Sequence, residues 1–235
     1  MMTNDLMNTQ STKRFGRRAF VLGAGGAFAA LALPGTAKAQ GLTDLLARAS
    51  DSALDKLAKP DAFYDDEDIR IKLPIVGSVG GGLLGGILGG SRGGLGLLGG
   101  VTRKINDAAG VAAGEAKPIF RESIGQLSLT DAPGIIRESD GGTQYLKSSA
   151  GDTLLGKLRP LVDTALGELG VYSEIDKLSE RSRVVAQAGL TSDRVGSSVT
   201  DQALDGIFSY IGSEETNFRK SPLKNLGGLL GDVLR

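Results

Sequence analysis

Through most of this chain apolar residues return at three- and four-residue intervals, the spacing of one face of a helix. Leu42, Leu45, Leu46, Ala49, Ala53 and Leu57 make the first stripe. Lys59-Pro60 closes it, because the residue before a proline avoids the α region. The next stretch, DAFYDDEDIRIKLP, breaks the rhythm with Phe63 and Tyr64, four acids from Asp65 to Asp68, then alternating Ile69, Ile71 and Leu73. That order predicts a turn followed by a short extended segment. Helical spacing resumes with Val101, Ile105, Ala108, Ala112 and Ala116, and Pro118 opens a helix carrying Ile119, Phe120, Ile124 and Leu127.

In SLTDAPGIIRESDGG, Thr130 or Asp131 is the expected N-cap of a short helix through Ile135 and Ile136, with Gly141-Gly142 as its stop. The longest stripe follows: Tyr145, Leu146, Leu154, Leu155, Leu158, Leu161, Val162, Ala165, Leu166 and Leu169, ended by Gly170. Pro160 is expected to kink that helix or divide it. Tyr172, Ile175 and Leu178 begin another, and AQAGLTSDRVGSS has the composition of a loop. Val199, Ala203, Leu204, Ile207, Phe208, Ile211 and Phe218 then share a face, with Ile207, Phe208 and Ile211 expected in the core. Ser221-Pro222 caps a last stripe of Leu223, Leu226, Leu230 and Val233. No hairpin or β-α alternation occurs, so the pattern predicts an all-α protein, an irregular multi-helix bundle in which each helix needs a partner to bury one face.

Residues 77–100, GSVGGGLLGGILGGSRGGLGLLGG, stand apart because glycine holds more than half of the positions. Each glycine inside a helix costs about 0.8 to 1 kcal/mol relative to alanine. A flexible or irregular linker is the first expectation, ahead of a glycine-ridge helix packed against another backbone and of a membrane-associated segment. The stretch lacks the GK[ST] of a phosphate loop.

The N-terminus changes where the rest is expected to work. Lys13, Arg14, Arg17 and Arg18 precede an apolar run from Ala19 to Leu33, and Ala37-Lys38-Ala39 presents small residues at both positions that a signal peptidase reads. The run falls short of the roughly 20 residues that span a bilayer. Adjacent Arg17 and Arg18 ahead of Ala19 and Phe20 match a twin-arginine signal, preferred here over general secretion and over an uncleaved anchor. Residues 1–39 are therefore expected to be a leader handled by the twin-arginine translocase and signal peptidase. Residues 40–235 are expected to form one periplasmic helical domain.

Of the 27 basic and 27 acidic residues, the leader holds five of the first and one of the second, so the mature chain carries a net charge of −4. A mildly acidic chain is a poor partner for nucleic acid or an anionic membrane surface. Cysteine and histidine are both absent. Their absence removes disulfides, thiol chemistry, the usual zinc, copper and haem ligands and the Ser-His-Asp triad. No cofactor is expected, and an enzyme would have to work with carboxylates, serine, lysine, tyrosine or arginine. Asp65 to Asp68 lack the alternation of an EF-hand and predict a solvated acidic turn rather than a weak cation site.

The best constellation lies on the helix after residue 199: Asp201, Asp205, Glu214, Glu215 and Arg219, with Thr143 and Tyr145 as possible neighbours. Thr143, Tyr145, Asp201, Asp205, Glu215 and Arg219 are the candidate binding residues. The plain alternative is a solvent face on which Glu215 and Arg219 form an ordinary pair one turn apart, worth about 0.3 to 0.5 kcal/mol.

Four segments, FYDDEDIRIKLP, AKPIFRESIGQLSLTDAPGII, GGTQYLKSSAGDTLLGKLRPLVDTAL and VTDQALDGIFSYIGSEETNFRKSP, the last followed by LGGLLGDVL, give the chain its likeness to a family. Over nearly all of residues 41–234 it resembles the DUF4197 domain proteins of bacteria, whose function is uncharacterised. It departs from them in the middle, where the family has a less glycine-rich helical stretch and an MNRAAE-like segment; Gly110 here stands in place of that glutamate. The resemblance implies an exported helical domain without known catalytic residues. The functional expectation is a binding or interaction module of the cell envelope, its partner an envelope protein or a small molecule. The alternatives are an enzyme built on carboxylate, tyrosine and arginine groups, and a protein held at the membrane surface by its glycine-rich segment.

Overall fold

A computed structural model of the chain describes residues 34–74, 98–128, 137–181, 183, 186 and 189–220. The chain divides into two compact units, Met1–Leu33 and Pro34–Arg235, and every described residue belongs to the second. Several expectations lie outside the described residues: Arg17, Arg18 and the apolar run, the glycine segment through residue 97, the Thr130 or Asp131 cap with Ile135 and Ile136, and the Ser221-Pro222 cap with its final stripe. The side chains of Ala37 and Ala39 lie outside as well, although their backbone belongs to the first helix.

Seven helices and no strand occur among the described residues. They are α1 (Pro34–Leu57), α2 (Ala62–Asp65), α3 (Gly99–Glu115), α4 (Lys117–Gly125), α5 (Gly141–Glu168), α6 (Val171–Arg181) and α7 (Ser192–Lys220). The two longest, α5 and α7, lie against each other, and α1 packs on α7 from another side. Leu46, Leu57, Ile105, Phe120, Leu146, Leu158, Val162 and Ile211 belong to one continuous buried core. Ile207 and Ile211 are fully buried and Phe208 is 5 % exposed, as the stripe predicts. The Phe208 ring meets Phe120 edge-on at 6.2 Å, joining α7 to α4.

Three boundaries differ from the sequence reading, each for a physical reason. Gly141 and Gly142 do not stop a helix but start α5, because their first turn receives a carboxylate from α7 and a side chain at 142 would collide with it. Pro160 does not divide α5, which runs unbroken past it. Pro160 and Gly156 are both exposed, so the carbonyl that loses its N–H partner stands on the wet face. The stretch expected as a loop is helical from Ser192 onward; the Thr191 hydroxyl accepts the Arg194 N–H at 3.3 Å, and Val195 and Val199 are buried. Gly170, with φ of 71°, ends α5 in the left-handed conformation as expected.

Asp61 to Pro74 contains the short helix α2 and a turn, then a non-helical segment held by two amides that substitute for neighbouring strands. Asn106 of α3 accepts the Ile71 N–H at 2.8 Å and donates to the Ile71 carbonyl at 3.0 Å. Gln202 of α7 does the same at Lys72, with both bonds 2.9 Å long. Successive backbone groups of an extended chain point opposite ways, so helices on both sides can bind consecutive residues. The segment thereby buries Ile69 and Ile71 without a sheet. At position 110, Leu57 carbonyl oxygen lies 3.2 Å from where a Cβ would stand, so α3 and the end of α1 leave little room for a longer side chain than glycine.

Candidate functional site

The register of α7 explains why its acidic residues do not behave as a solvent face. Ile207, Ile211 and Glu215 are spaced by one turn each, so Glu215 continues the stripe that carries the core. Its side chain has no exposed surface. One oxygen, Oε1, accepts the Gly142 N–H at 3.0 Å and the Arg219 Nε–H and Nη2–H at 3.0 and 2.6 Å. The other, Oε2, accepts the Thr143 N–H at 2.8 Å and the Thr143 hydroxyl at 2.7 Å. The first N–H groups of a helix have no partners within it and carry partial positive charge, so a carboxylate there is doubly favoured. Gly142 makes the approach possible: a Cβ at that position would stand 2.8 Å from Oε1.

Glu214, the residue before it, faces a different helix. It accepts the Ser52 hydroxyl at 2.6 Å and pairs with Lys56, both on α1. Burial raises its pKa, but hydrogen bonds from Lys56, Ser52 and Asn217 and the Lys56 charge outweigh that effect and hold it below the ordinary carboxylate value. Two adjacent glutamates thus tie the C-terminal half of α7 to α1 and to the start of α5.

Beside the Glu215 tie lies an open groove of about 420 Å³. One wall is Ser139 and Asp140, immediately before the turn that Glu215 holds. Ser209, Ser213, Thr216 and Asn217 of α7 form the other, and the buried residues Gly212 and Phe208 also line it. A Cβ on Gly212 would be 3.4 Å from the Asp140 Cβ, which shows how closely the wall approaches α7. Asp140 is the one ionisable group among the described residues of the lining, and its Oδ1 accepts the Gln144 amide at 3.0 Å.

Of the candidate residues, Thr143, Glu215 and Arg219 come together in one hydrogen-bonded unit. The solvent-face reading of Glu215–Arg219 is overturned, because its carboxylate is buried and makes further bonds to α5. Asp201 and Asp205 are exposed, and Asp205 pairs with Lys147 at 2.8 Å away from this unit. Tyr145 points elsewhere too, donating to the Ser128 carbonyl at 2.9 Å beside a smaller pocket with Gln126 and Thr153. The acidic turn is solvated as expected, except that Asp66 accepts the Tyr210 hydroxyl at 2.7 Å. Among the described residues no group of acids has the arrangement of a metal site.

A second polar cluster escaped the sequence reading. Asp163 of α5 accepts the Tyr172 hydroxyl at 2.7 Å and Arg159 Nε–H at 2.7 Å. Arg159 reaches across to Ser197 and to Asp193, the latter at 3.1 Å, both on α7. Burial and the bond to Asp163 push the Tyr172 hydroxyl well above its ordinary pKa. A Cβ at Gly196 would overlap the Asp163 carboxylate, so here too a missing side chain admits a carboxylate from the facing helix. Arg159 and Asp163, four apart on one helix, were the available signal.

Residues 33–234 match a family described as a protein of unknown function, DUF4197, and the chain belongs to that family. No curated protein and no solved structure matches it.

Proposed function

Starting from membership of that family, we propose that this chain is an exported helical protein of the cell envelope that works as a binding module. Its ligand site is the groove between the Ser139–Asp140 wall and α7. The observation that carries this reading is the fixed geometry of that groove: the Glu215 tie anchors one wall to the other while polar groups on both remain at the surface. Binding is favoured over catalysis by the state of the best-placed carboxylate. Both oxygens of Glu215 already accept hydrogen bonds, Oε1 three and Oε2 two, so it has no open position for a substrate proton.

Export is supported by the twin-arginine pattern and by the small residues Ala37 and Ala39 before the expected cut, which falls within α1. Gln40 and Gly41 are exposed and Leu42 is the first described core residue, so cleavage after Ala39 spares the described core. No described helix is long and apolar enough to cross a membrane.

Replacing Arg17 and Arg18 together by lysine should leave unprocessed precursor inside the cell; normal processing of that variant would overturn the twin-arginine assignment. For the groove, the full chain is recovered from its own envelope fraction beside a Ser213→Gln variant that fills it. Co-purifying small molecules and proteins are compared by mass spectrometry. Loss of one companion from the variant supports the reading, and identical companions would overturn it.

A further inference from the structure

We propose that the groove takes a neutral saccharide, gripped through two adjacent hydroxyl groups at Asp140, an inference that rests on the binding reading given above. Three features of the lining select that ligand class.

Anions are disfavoured. The usual anion receptor here, the first turn of α5, has its Gly142 and Thr143 N–H groups filled from inside by Glu215. Among the described residues of the lining the single charge is the Asp140 carboxylate, which repels phosphate or carboxylate ligands.

An apolar ligand is disfavoured as well. The one large apolar residue in the lining is Phe208, which is 5 % exposed because it is packed against Phe120. A lipid tail or the hydrophobic face of a partner helix would leave the hydroxyls of Ser209 and Thr216 without water, at a cost per buried unpaired group.

What remains is chemistry that donates and accepts alternately. The Ser139, Ser209 and Thr216 hydroxyls can do both, the Ser213 hydroxyl donates to the Ser209 carbonyl at 3.0 Å and can still accept, and the Asn217 amide, which also bonds Glu214, keeps a second N–H. A carboxylate accepts only, through two oxygens side by side, and the two neighbouring hydroxyls of a sugar ring present donors at matching spacing. The groove is open to solvent and, at about 420 Å³, has room for a sugar ring. An extended peptide would share the hydrogen bonding, but it gains specificity from pockets for alternate side chains, which this lining does not form.

The test uses the full chain, isotope-labelled, titrated with maltotriose, cellotriose, chitotriose, trialanine and inorganic phosphate while the backbone amides are followed by NMR. At least one of the three sugars should shift the amides of Ser209, Ser213, Thr216 and Asn217. Asp140→Asn, which keeps the size of the side chain and removes its charge, should weaken that sugar about tenfold, the worth of a hydrogen bond to a charged group. Ser213→Gln, an exposed substitution that fills the trough, should abolish the response with thermal unfolding unchanged. Shifts by trialanine or phosphate without any by a sugar would overturn the saccharide assignment and leave the groove as a binding site. A sugar response that survives both substitutions would overturn its placement at Asp140. Silence of these amides to every probe would overturn the saccharide proposal and the groove reading together.

Discussion

At each end of the α5–α7 pair a carboxylate of one helix sits against a glycine of the other, in opposite directions. At the C-terminal end of α7, α7 supplies the carboxylate of Glu215 and α5 supplies the gap at Gly142. At the N-terminal end of α7, α5 supplies the carboxylate of Asp163 and α7 supplies the gap at Gly196. Each carboxylate also pairs with an arginine four residues away on its own helix, Arg219 in one case and Arg159 in the other. The ends differ in partners and in water: Glu215 bonds the α5 backbone directly, whereas at the other end Arg159 makes the bonds to α7. Glu215 has no exposed side-chain surface, whereas Asp163 keeps 38 % and its neighbour Asp193 keeps 93 %. The two carboxylates therefore carry different weight: a buried charge that loses its partners is stranded, while an exposed one is rehydrated.

The largest expected effect follows from that contrast. Glu215→Ala strands the Gly142 and Thr143 N–H groups and removes the carboxylate that Arg219 holds, and should cost about 3 to 5 kcal/mol. Phe208→Ala, which empties part of the core between α7 and α4, should cost a similar amount, about 3 to 5 kcal/mol. Urea unfolding of the two variants places the polar tie and the apolar contact on one scale. A cost below about 1 kcal/mol for Glu215→Ala would make it an ordinary surface pair and erase the contrast.

The paired glycine substitutions sharpen the comparison from the other side. Gly142→Ala pushes a methyl against a carboxylate that five hydrogen bonds hold in place, and should cost about 1 to 3 kcal/mol as an overpacked site. Gly196→Ala meets Asp163, Arg159 and Tyr172 at the far ends of side chains with solvent beside them. They can swing away, and the cost should stay under about 1 kcal/mol. Equal melting temperatures for the two variants would show that burial does not separate the sites.

Legibility in the sequence follows the same division. Spacing alone placed the apolar faces, because burial of a helix stripe depends on residue type and period, and Val101, Ile105, Ile207 and Ile211 are all in the core. Spacing also contained Glu215, one turn beyond Ile211, yet residue type argued for solvent and carried the reading the wrong way. What period cannot show is which helix stands opposite. The Gly141-Gly142 pair carries the signature of a stop unless the incoming carboxylate is known, and Asn106 and Gln202 look like ordinary surface amides until the backbone of Ile71 and Lys72 is set between them. The Asp163 cluster was hidden for the same reason, since it draws on three helices.

The smallest effect concerns Glu214, which sits beside the buried tie but has a half-exposed partner, Lys56, with 48 % of its side chain in water. Glu214→Gln keeps the hydrogen-bonding shape toward Ser52 and removes the charge that Lys56 sees, so at neutral pH it should cost under about 1 kcal/mol. Its diagnostic value is in the pH dependence. The folded-state pKa of Glu214 lies below its unfolded value of 4.5, so the unfolded chain binds the proton more readily. The stability contributed by the charged form is then fully present above pH 4.5 and is lost as the pH falls through the lower, folded value. The gap between parent and Glu214→Gln should accordingly be widest above pH 4.5 and close on the acid side, and chemical unfolding across that range measures it. A gap that stays constant from neutral to acid pH would mean that the Lys56 pair adds nothing through its charge, and that α7 is held to α1 by packing alone.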